Sequence, residues 1–512
     1  MVTKKLRAGR EPTFAASARA YALDLAASVL MFLSVSIVSG RVWRFPFDDE
    51  IYTLGAIERL SGAKLFAFYL GGADVHPPLQ YLFASGLYHL GLSEAGMRLC
   101  SLAMTAIALT LFHLLALMAM ARRDPGAVSP FARLIAVLLF GLCALAVSQG
   151  DAIRWYPLFA MLIAVFVTLY LAGGNDMVRL AAAVPLGLAA STNYLTIIVI
   201  LPLAIYRYGL QRRFNALFDA EFWAVFLLFA AIGIYSAFSL FAHHADMVGT
   251  QIGNGAVRSA LTNMLGFFGG HVLGIGQIWI VAPAAAISVW AAISQIDRHT
   301  PADPVHLLLL LLAASALMIL PGFAKPRSFL YLAPVLAAVL ALSFNREVKR
   351  APGVALLLAA LWVAASVGAI ANINGGTHPF KRNSVIPYQD IVDFIDSNGT
   401  GRQLIVSTDP IIPWVLRGGR GREDRCASYF AANKACLDAV QRYDSVVVIS
   451  GHSDKSENPQ AMQGFDGAVA AVVAGRRKVA TMHAGIDDDA ALKTRLTGVA
   501  LDKYILTVEL YR

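Results

Sequence analysis

Charged residues are scarce: Asp, Glu, Lys and Arg make up only 15% of the 512 residues, against about a quarter in soluble domains. That shortage excludes a chain that keeps itself dissolved with a charged coat. Internal repeats and low-complexity tracts are absent as well, which counts against transporters built from paired halves. No basic-aromatic module occurs. The net charge of +9 and the isoelectric point near 9.4 therefore do not point to nucleic acid. Cysteines number four. Cys100 and Cys143 lie in apolar runs and read as inert filling. Cys426 and Cys436 lie in a polar tail and can pair if that tail meets an oxidising compartment. Sequence leaves open whether their geometry permits it.

What the chain does have is long apolar runs. Hydrophobic residues make up 57% and the mean hydropathy is +0.61, the signature of a chain dissolved largely in lipid. Candidate spans are 21–39, 98–120, 132–149, 157–173, 179–191, 194–206, 222–241, 274–294, 305–322, 328–344 and 353–371. These predict a polytopic α-helical membrane protein with about 11 transmembrane helices. Residues 179–206 are too long for one upright helix and carry Ser191-Thr192-Asn193 in the middle, so they are split. Pro77 to Gly91 is apolar but short and opens with two prolines, which suits a juxtamembrane helix better than a span.

Lys4, Lys5, Arg7, Arg10 and Arg19 precede the first run, which reads as an uncleaved helix with its N-terminus in the cytoplasm. The loops then expected inside hold Arg122, Arg123, Arg133, Arg179, Arg207, Arg212, Arg213, Arg298, Arg346, Lys349 and Arg350. The predicted domains are a transmembrane region, 1–371, with a long first outer loop, 40–97, and an extracytoplasmic α/β domain, 372–512. Expected strands there are Gln403–Ser407, Ser445–Ser450, Lys478–Met482 and Tyr504–Tyr511. Expected helices are Tyr388–Asp396, Met462–Ala474 and Ala490–Leu496.

Four outer stretches carry residues with chemistry. Asp48-Asp49-Glu50-Ile51-Tyr52 puts three consecutive carboxylates just past the first span. They suit a solvated helix start, and equally a general base whose proton affinity is raised by its neighbours. Asp74-Val75-His76-Pro77-Pro78 lies later in the same loop and reads as a helix start or as the mouth of a cavity. A metal site of Asp48, Asp49, Asp74 and His76 is chemically allowed, though the spacing is not diagnostic. Arg154-Trp155-Tyr156 fits an interfacial aromatic belt, and its guanidinium can grip a lipid phosphate. Lys325 and Arg327 sit in a short outer loop, against the positive-inside trend, and read as a phosphate site or as snorkelling side chains. Glu94 and Arg98 have the spacing of a helical ion pair. Thr408-Asp409-Pro410 reads first as a turn or helix cap.

Taken in order, these motifs resemble the GT-C class of membrane glycosyltransferases. The branch they look most like holds the protein O-mannosyltransferases and the bacterial lipid A aminoarabinose or uronic acid transferases. An acidic pair follows the first span (Asp49-Glu50), and an HPPL-type motif ends the same loop (His76–Leu79). A small-acid-x-x-x-Arg stretch follows (Ser93, Glu94, Arg98), then an Arg/aromatic/Tyr cluster (Arg154–Tyr156) and a basic-aromatic motif (Arg327–Tyr331). The match covers roughly residues 20–345.

The resemblance implies inverting transfer of a sugar from a polyprenyl-phosphate donor to an envelope lipid, glycan or protein acceptor. The site would lie on the outer face of a bacterial inner membrane, with no metal or other cofactor. It implies Asp49 as base beside Asp48 and Glu50, the choice between Asp48 and Asp49 staying open. Arg154, Lys325, Arg327 and His76 would serve the donor phosphate, and Asp74, Tyr52, Glu94, Arg98 and Tyr156 the substrates. The rival reading of the same residues is a multi-span transporter or lipid flippase, and a third is a membrane scaffold whose outer domain binds a partner.

Overall fold

The computed structural model describes residues 14–44, 48–70, 76–123, 128–172, 175–243, 278–296, 303, 305–319, 330–374, 386–409, 411–417, 425–429, 433–451, 459–484 and 506–512. The chain divides into two compact units. The first comprises Met1–Val42, Ile57–Leu273 and Trp279–Ile370. The second comprises Trp43–Ala56, Gly274–Ile278 and Ala371–Arg512. The acidic stretch after the first apolar run thus clusters with the C-terminal residues.

The first unit is helical. It begins with α1 (Phe14–Ala20) and α2 (Ala22–Val38), bent by 69° at Tyr21. Helix α3 (Asp48–Arg59) starts in the second unit and ends in the first; α4 (Gly62–Leu70) and α5 (Leu79–His89) follow it. Eleven residues of α5 rise only about 16 Å, half of a hydrocarbon core, in keeping with a juxtamembrane helix. Helix α6 (Glu94–Arg123) is the longest, at 30 residues, and packs against both α9 (Trp155–Ala172) and α16 (Leu332–Arg350). Between α6 and α9 run α7 (Pro130–Gly141), capped by the Ser129 hydroxyl accepting from Ala132 N at 3.1 Å, and the short α8 (Ala144–Gln149).

The expected break at Ser191-Thr192-Asn193 is present. It separates α10 (Asp176–Ala181) and α11 (Ala183–Ala190) from α12 (Ile197–Ala204). Asn193 Oδ1 accepts from Leu195 N at 2.8 Å and starts the next turn. Helix α13 (Ala216–His243) lies close against α11 because both carry glycine at the crossing. A β-carbon on Gly187 would stand 2.7 Å from Phe226 O, and one on Gly233 2.2 Å from Ala190 O, the small-residue contact that membrane helices use. The unit closes with α14 (Ile278–Ile296), α15 (Val305–Ile319), α16 and α17 (Pro352–Asn374).

All eleven predicted apolar segments therefore carry helix. Among the described residues four are long and apolar enough to cross a bilayer by length and composition: Glu94–Arg122, Pro130–Gln149, Ala216–Ser239 and Pro352–Ala371. The bent pair α1–α2 makes a fifth if taken as one span, and shorter apolar helices include Trp155–Leu171, Tyr194–Leu210 and Val305–Leu317. Leu228 and Phe238 on α13, with Leu356 and Leu357 on α17, present large apolar side chains outward. In water such faces would aggregate; in lipid they are the natural surface. His113 is wholly buried, with Nδ1 3.0 Å from Ser28 Oγ and its ring stacked 4.7 Å from Phe140.

The second unit holds a five-stranded mixed sheet of order β2-β1-β3-β5-β4, made from β1 (Gln403–Ser407), β2 (Arg425–Tyr429), β3 (Ser445–Gly451), β4 (Lys478–Ala484) and β5 (Leu506–Tyr511). Strand β1 runs parallel to β2 and β3, while β5 is antiparallel to β3 and β4. Alternation splits the central strands between two layers. Ile405 and Val447 meet Ile391 and Ile395 of α18 (Tyr388–Asn398) and Ile411 and Leu416 of α19 (Ile411–Arg417). Leu404, Val406, Val446 and Val448 meet Cys436 of α20 (Lys434–Asp438) and Phe465 and Val472 of α21 (Pro459–Val473). All four expected strands are present. Strand β2 and helices α19 and α20 are additions, and the helix expected at Ala490–Leu496 lies outside the described residues.

Cys426 of β2 and Cys436 of α20 are disulfide-bonded, Cα to Cα 5.8 Å, within the span such bonds tolerate. Cys100 and Cys143 are free thiols. Alkylating the denatured full-length chain should label two cysteines without reductant and four with it. Replacing Cys426 and Cys436 by serine should lower the stability of the α/β unit by about 2–3 kcal/mol, read as an earlier denaturant midpoint.

Candidate active site

Each unit carries part of the candidate machinery. In the helical unit the key segment is the turn between α8 and α9. Asp151 is completely buried there, a costly place for a carboxylate. Arg41, just past α2, meets it with Nη2 2.9 Å from Oδ1 and 3.2 Å from Oδ2, and donates to Ser148 O at 3.0 Å. The pair ties the end of α2 to the turn and fixes the residues that follow.

The residue so fixed is Arg154, 5% exposed. Its Nη1 donates to the Tyr81 hydroxyl at 3.1 Å, with the guanidinium 5.9 Å from the centre of the same ring. Tyr81 is on α5, three residues past the His76-Pro77-Pro78 motif, and stacks on Tyr69 of α4, centroids 3.5 Å apart and planes within 4°. The first amide of α5, Leu79 N, donates to Ser191 O at 3.2 Å, so the break in the 179–206 run anchors the start of α5.

An aromatic chain continues from Arg154. The Trp155 ring lies 5.6 Å from His76, 4.4 Å from Tyr156 and 5.6 Å from Phe159. Phe159 is in turn 5.2 Å from Tyr331, whose hydroxyl is 3.2 Å from Ser315 Oγ. Three stretches far apart in sequence thus meet in one belt: the His76 motif, Arg154–Tyr156, and the end of the motif that begins at Arg327. Within it Trp155 Nε1 and Gln80 Oε1 are buried and find no hydrogen-bond partner among the described residues. Each such group costs about 1–3 kcal/mol until something satisfies it, and such orphans in a folded chain call for a reason.

Glu94 and Arg98 form the expected i,i+4 pair along α6, 3.7 Å apart, with Arg98 buried. Asp74, Lys325 and Arg327 lie outside the described residues.

In the second unit, Arg44 forks onto Glu50, Nη1 to Oε2 and Nη2 to Oε1 both at 2.7 Å, and Glu50 is fully buried. Two-point pairing of this kind fixes geometry as well as charge. Glu50 therefore braces the start of α3. Ile51 packs on the α18–α19 layer of the α/β core. A β-carbon at Gly55 would stand 3.8 Å from Trp414 of α19. Tyr52 is a little under half exposed. Asp48 and Asp49 form the first turn of α3, their side chains outside the description. Asp409 accepts from Tyr388 OH at 2.9 Å and from Ile411 N at 2.8 Å, the helix cap suggested by sequence. Among the described residues no three His, Cys, Asp or Glu have metal-holding geometry. Three of the four residues of the candidate metal site, Asp48, Asp49 and Asp74, have side chains outside that description.

No protein-family model matches the chain, and no curated protein does. Solved structures do. The structure of ArnT from Cupriavidus metallidurans bound to undecaprenyl phosphate superimposes with a TM-score of 0.56 at 16% identity, over 96% of this chain and 98% of that one. The apo structure of the same protein gives 0.54 at 15% identity with the same coverage. The chain has the ArnT fold. The likeness runs through nearly the whole length of both chains, so it takes in the α/β unit as well as the helices.

Within this fold the buried belt makes two demands on stability. Arg41→Ala should cost about 3–5 kcal/mol, because it takes the guanidinium away from a carboxylate buried in the interior. Tyr81→Phe should cost about 1 kcal/mol, because it removes one hydrogen bond to Arg154. Thermal melts of the purified full-length protein should rank the two variants in that order.

Proposed function

We propose that the chain is an integral membrane glycosyltransferase of the inner membrane. It moves a sugar from a polyprenyl-phosphate donor to an envelope lipid, glycan or protein acceptor on the outer face. The observation that carries this reading is the buried guanidinium of Arg154 in a fold whose solved example holds undecaprenyl phosphate. The disulfide of the α/β unit supports an oxidising, extracytoplasmic setting for that unit.

In this mechanism Asp49 takes the proton from an acceptor hydroxyl, with Asp48 beside it as the alternative base. The oxygen attacks the anomeric carbon from the face opposite the phosphate, so the new C–O bond forms as the old one breaks and the configuration inverts. The electron pair of the broken bond leaves on the polyprenyl phosphate. That growing negative charge is met by Arg154, with Lys325, Arg327 and His76. Cations fixed in advance need no reorganisation as the charge appears, which makes such groups effective. Trp155 Nε1 and Gln80 Oε1 supply a donor and an acceptor suited to phosphate oxygens and sugar hydroxyls. Glu50, locked to Arg44, holds the start of α3 instead of moving protons. Asp74, Tyr52, Glu94, Arg98 and Tyr156 remain the substrate-side assignments.

Purified protein in bilayers containing a polyprenyl-phosphate sugar should transfer it to envelope lipid, and mass spectrometry of envelope lipids and glycans with and without the gene should identify the product. Asp49→Asn should lower the rate by roughly 100- to 10,000-fold, the usual worth of a general base. Arg154→Ala should cost roughly 100- to 1,000-fold, and Arg154→Lys should recover only part of it, since a lysine cannot make the two-point grip. Undiminished transfer by Asp49→Asn would remove it as the base. Net movement of a solute with no covalent product would favour a transporter instead.

A further inference from the structure

A cavity of about 220 Å³ opens in the helical unit at the opposite end of its helices from Arg154. The directions of the chain establish this. Helices α6 and α9 begin near the candidate site, at Glu94 and Trp155, and end at the cavity; α15 starts at the cavity, and α16 lines it with Leu342, just past its midpoint. The wall is apolar, with Leu115 and Met118 from α6, Leu308 from α15 and Leu342 from α16. Two charged side chains of opposite sign also line it: Arg122 in the last turn of α6 and Asp303 just before α15. Asp303 Oδ1 caps α15 by accepting from Val305 N at 2.9 Å.

We propose that this cavity takes the upper part of one acyl chain of a zwitterionic phospholipid from the cytoplasmic leaflet. The ammonium group would sit toward Asp303 and the phosphate toward Arg122. Leu115 and Arg122 are seven residues apart on one helix, so the slot is about 10 Å deep. Its volume equals about seven water-sized units, room for the first stretch of a chain and not for a whole lipid. The head group then rests at the charged rim. Location fits as well: Arg346, Lys349 and Arg350 lie on the same end of α16, where the positive-inside rule puts the cytoplasm.

Charge selects among lipids. A polyprenyl phosphate or an anionic phospholipid offers only negative charge and meets the Asp303 carboxylate. A head group bearing both signs matches both rim residues. An exposed ion pair is worth up to about 1 kcal/mol, which sets the preference for the zwitterion at up to about fivefold. None of this depends on the sugar-transfer reading, because the residues differ and the readout is bound lipid.

The test uses the full-length protein reconstituted in bilayers of equal parts phosphatidylethanolamine and phosphatidylglycerol. It is then extracted in mild detergent, and retained lipid is counted by native mass spectrometry. Wild type should keep one phosphatidylethanolamine with the stated preference. Asp303→Asn keeps a good capping residue and removes the charge, so the preference should vanish or pass to phosphatidylglycerol. Ala119→Trp, filling the cavity wall, should lose the retained lipid. Photoactivatable phosphatidylethanolamine should label wild-type peptides from α6 and α15, a readout that needs no variant to fold. Equal retention of both lipids by wild type, an unchanged preference in Asp303→Asn, or label confined to other helices would each overturn the proposal.

Discussion

A charge taken out of water must find its opposite or be neutralised, and in this chain that constraint is met at Arg41 and Asp151. Desolvating two ions costs several kcal/mol apiece, recovered only in good geometry. The guanidinium meets that condition by touching both carboxylate oxygens and a backbone carbonyl. Because the partners lie 110 residues apart, satisfying them joins the end of the first apolar helix to the turn before α9. Arg154 follows Asp151 by three residues within that turn. Its placement against Tyr81, and through Tyr81 against Tyr69, is downstream of this one pairing.

The belt around Arg154 is unusual in what it leaves unsatisfied. Folded chains pair nearly all buried polar groups, yet an indole N–H and an amide oxygen here have no partner among the described residues. An apolar side chain at either position would avoid the cost. Tolerating it is intelligible when the missing partner is a polar substrate, and the two groups flank the arginine assigned to the phosphate. Local frustration of this sort is where a chain gives up stability for recognition.

Much of this architecture was readable from residues alone, for physical reasons that differ by region. Strands β1 and β3 were legible because Leu404–Val406 and Val446–Ile449 are apolar runs too short for helices. Strand β2 was not: Arg425-Cys-Ala-Ser-Tyr has no β-branched residue, and its extended form comes from pairing with β1. The helix break at Ser191–Asn193 was visible as three polar residues inside lipid-length hydrophobicity. The stretches proposed for function stood out as charge in loops that the positive-inside rule assigns to the outer face. What stayed hidden was long-range: nothing marks Tyr69 as the stacking partner of Tyr81, and Asp151 looks like an ordinary loop acid until Arg41 is seen beside it. Glu50 carries the same lesson. In sequence it is one of three equivalent carboxylates, and only the two-point grip of Arg44 separates it from its neighbours.

The second unit is assembled from pieces of chain that the ribosome makes at different times. Residues 43–56 emerge early, but the core on which Ile51 packs is built from residues beyond 371. More than 300 residues separate the two. At about 5–20 residues per second, the acidic turn waits roughly a quarter of a minute to a minute for its bed. A chain interrupted anywhere in that interval has Arg44 and Glu50 but no core for Ile51 to pack on, so the bed of the acidic turn is among the last things biosynthesis completes.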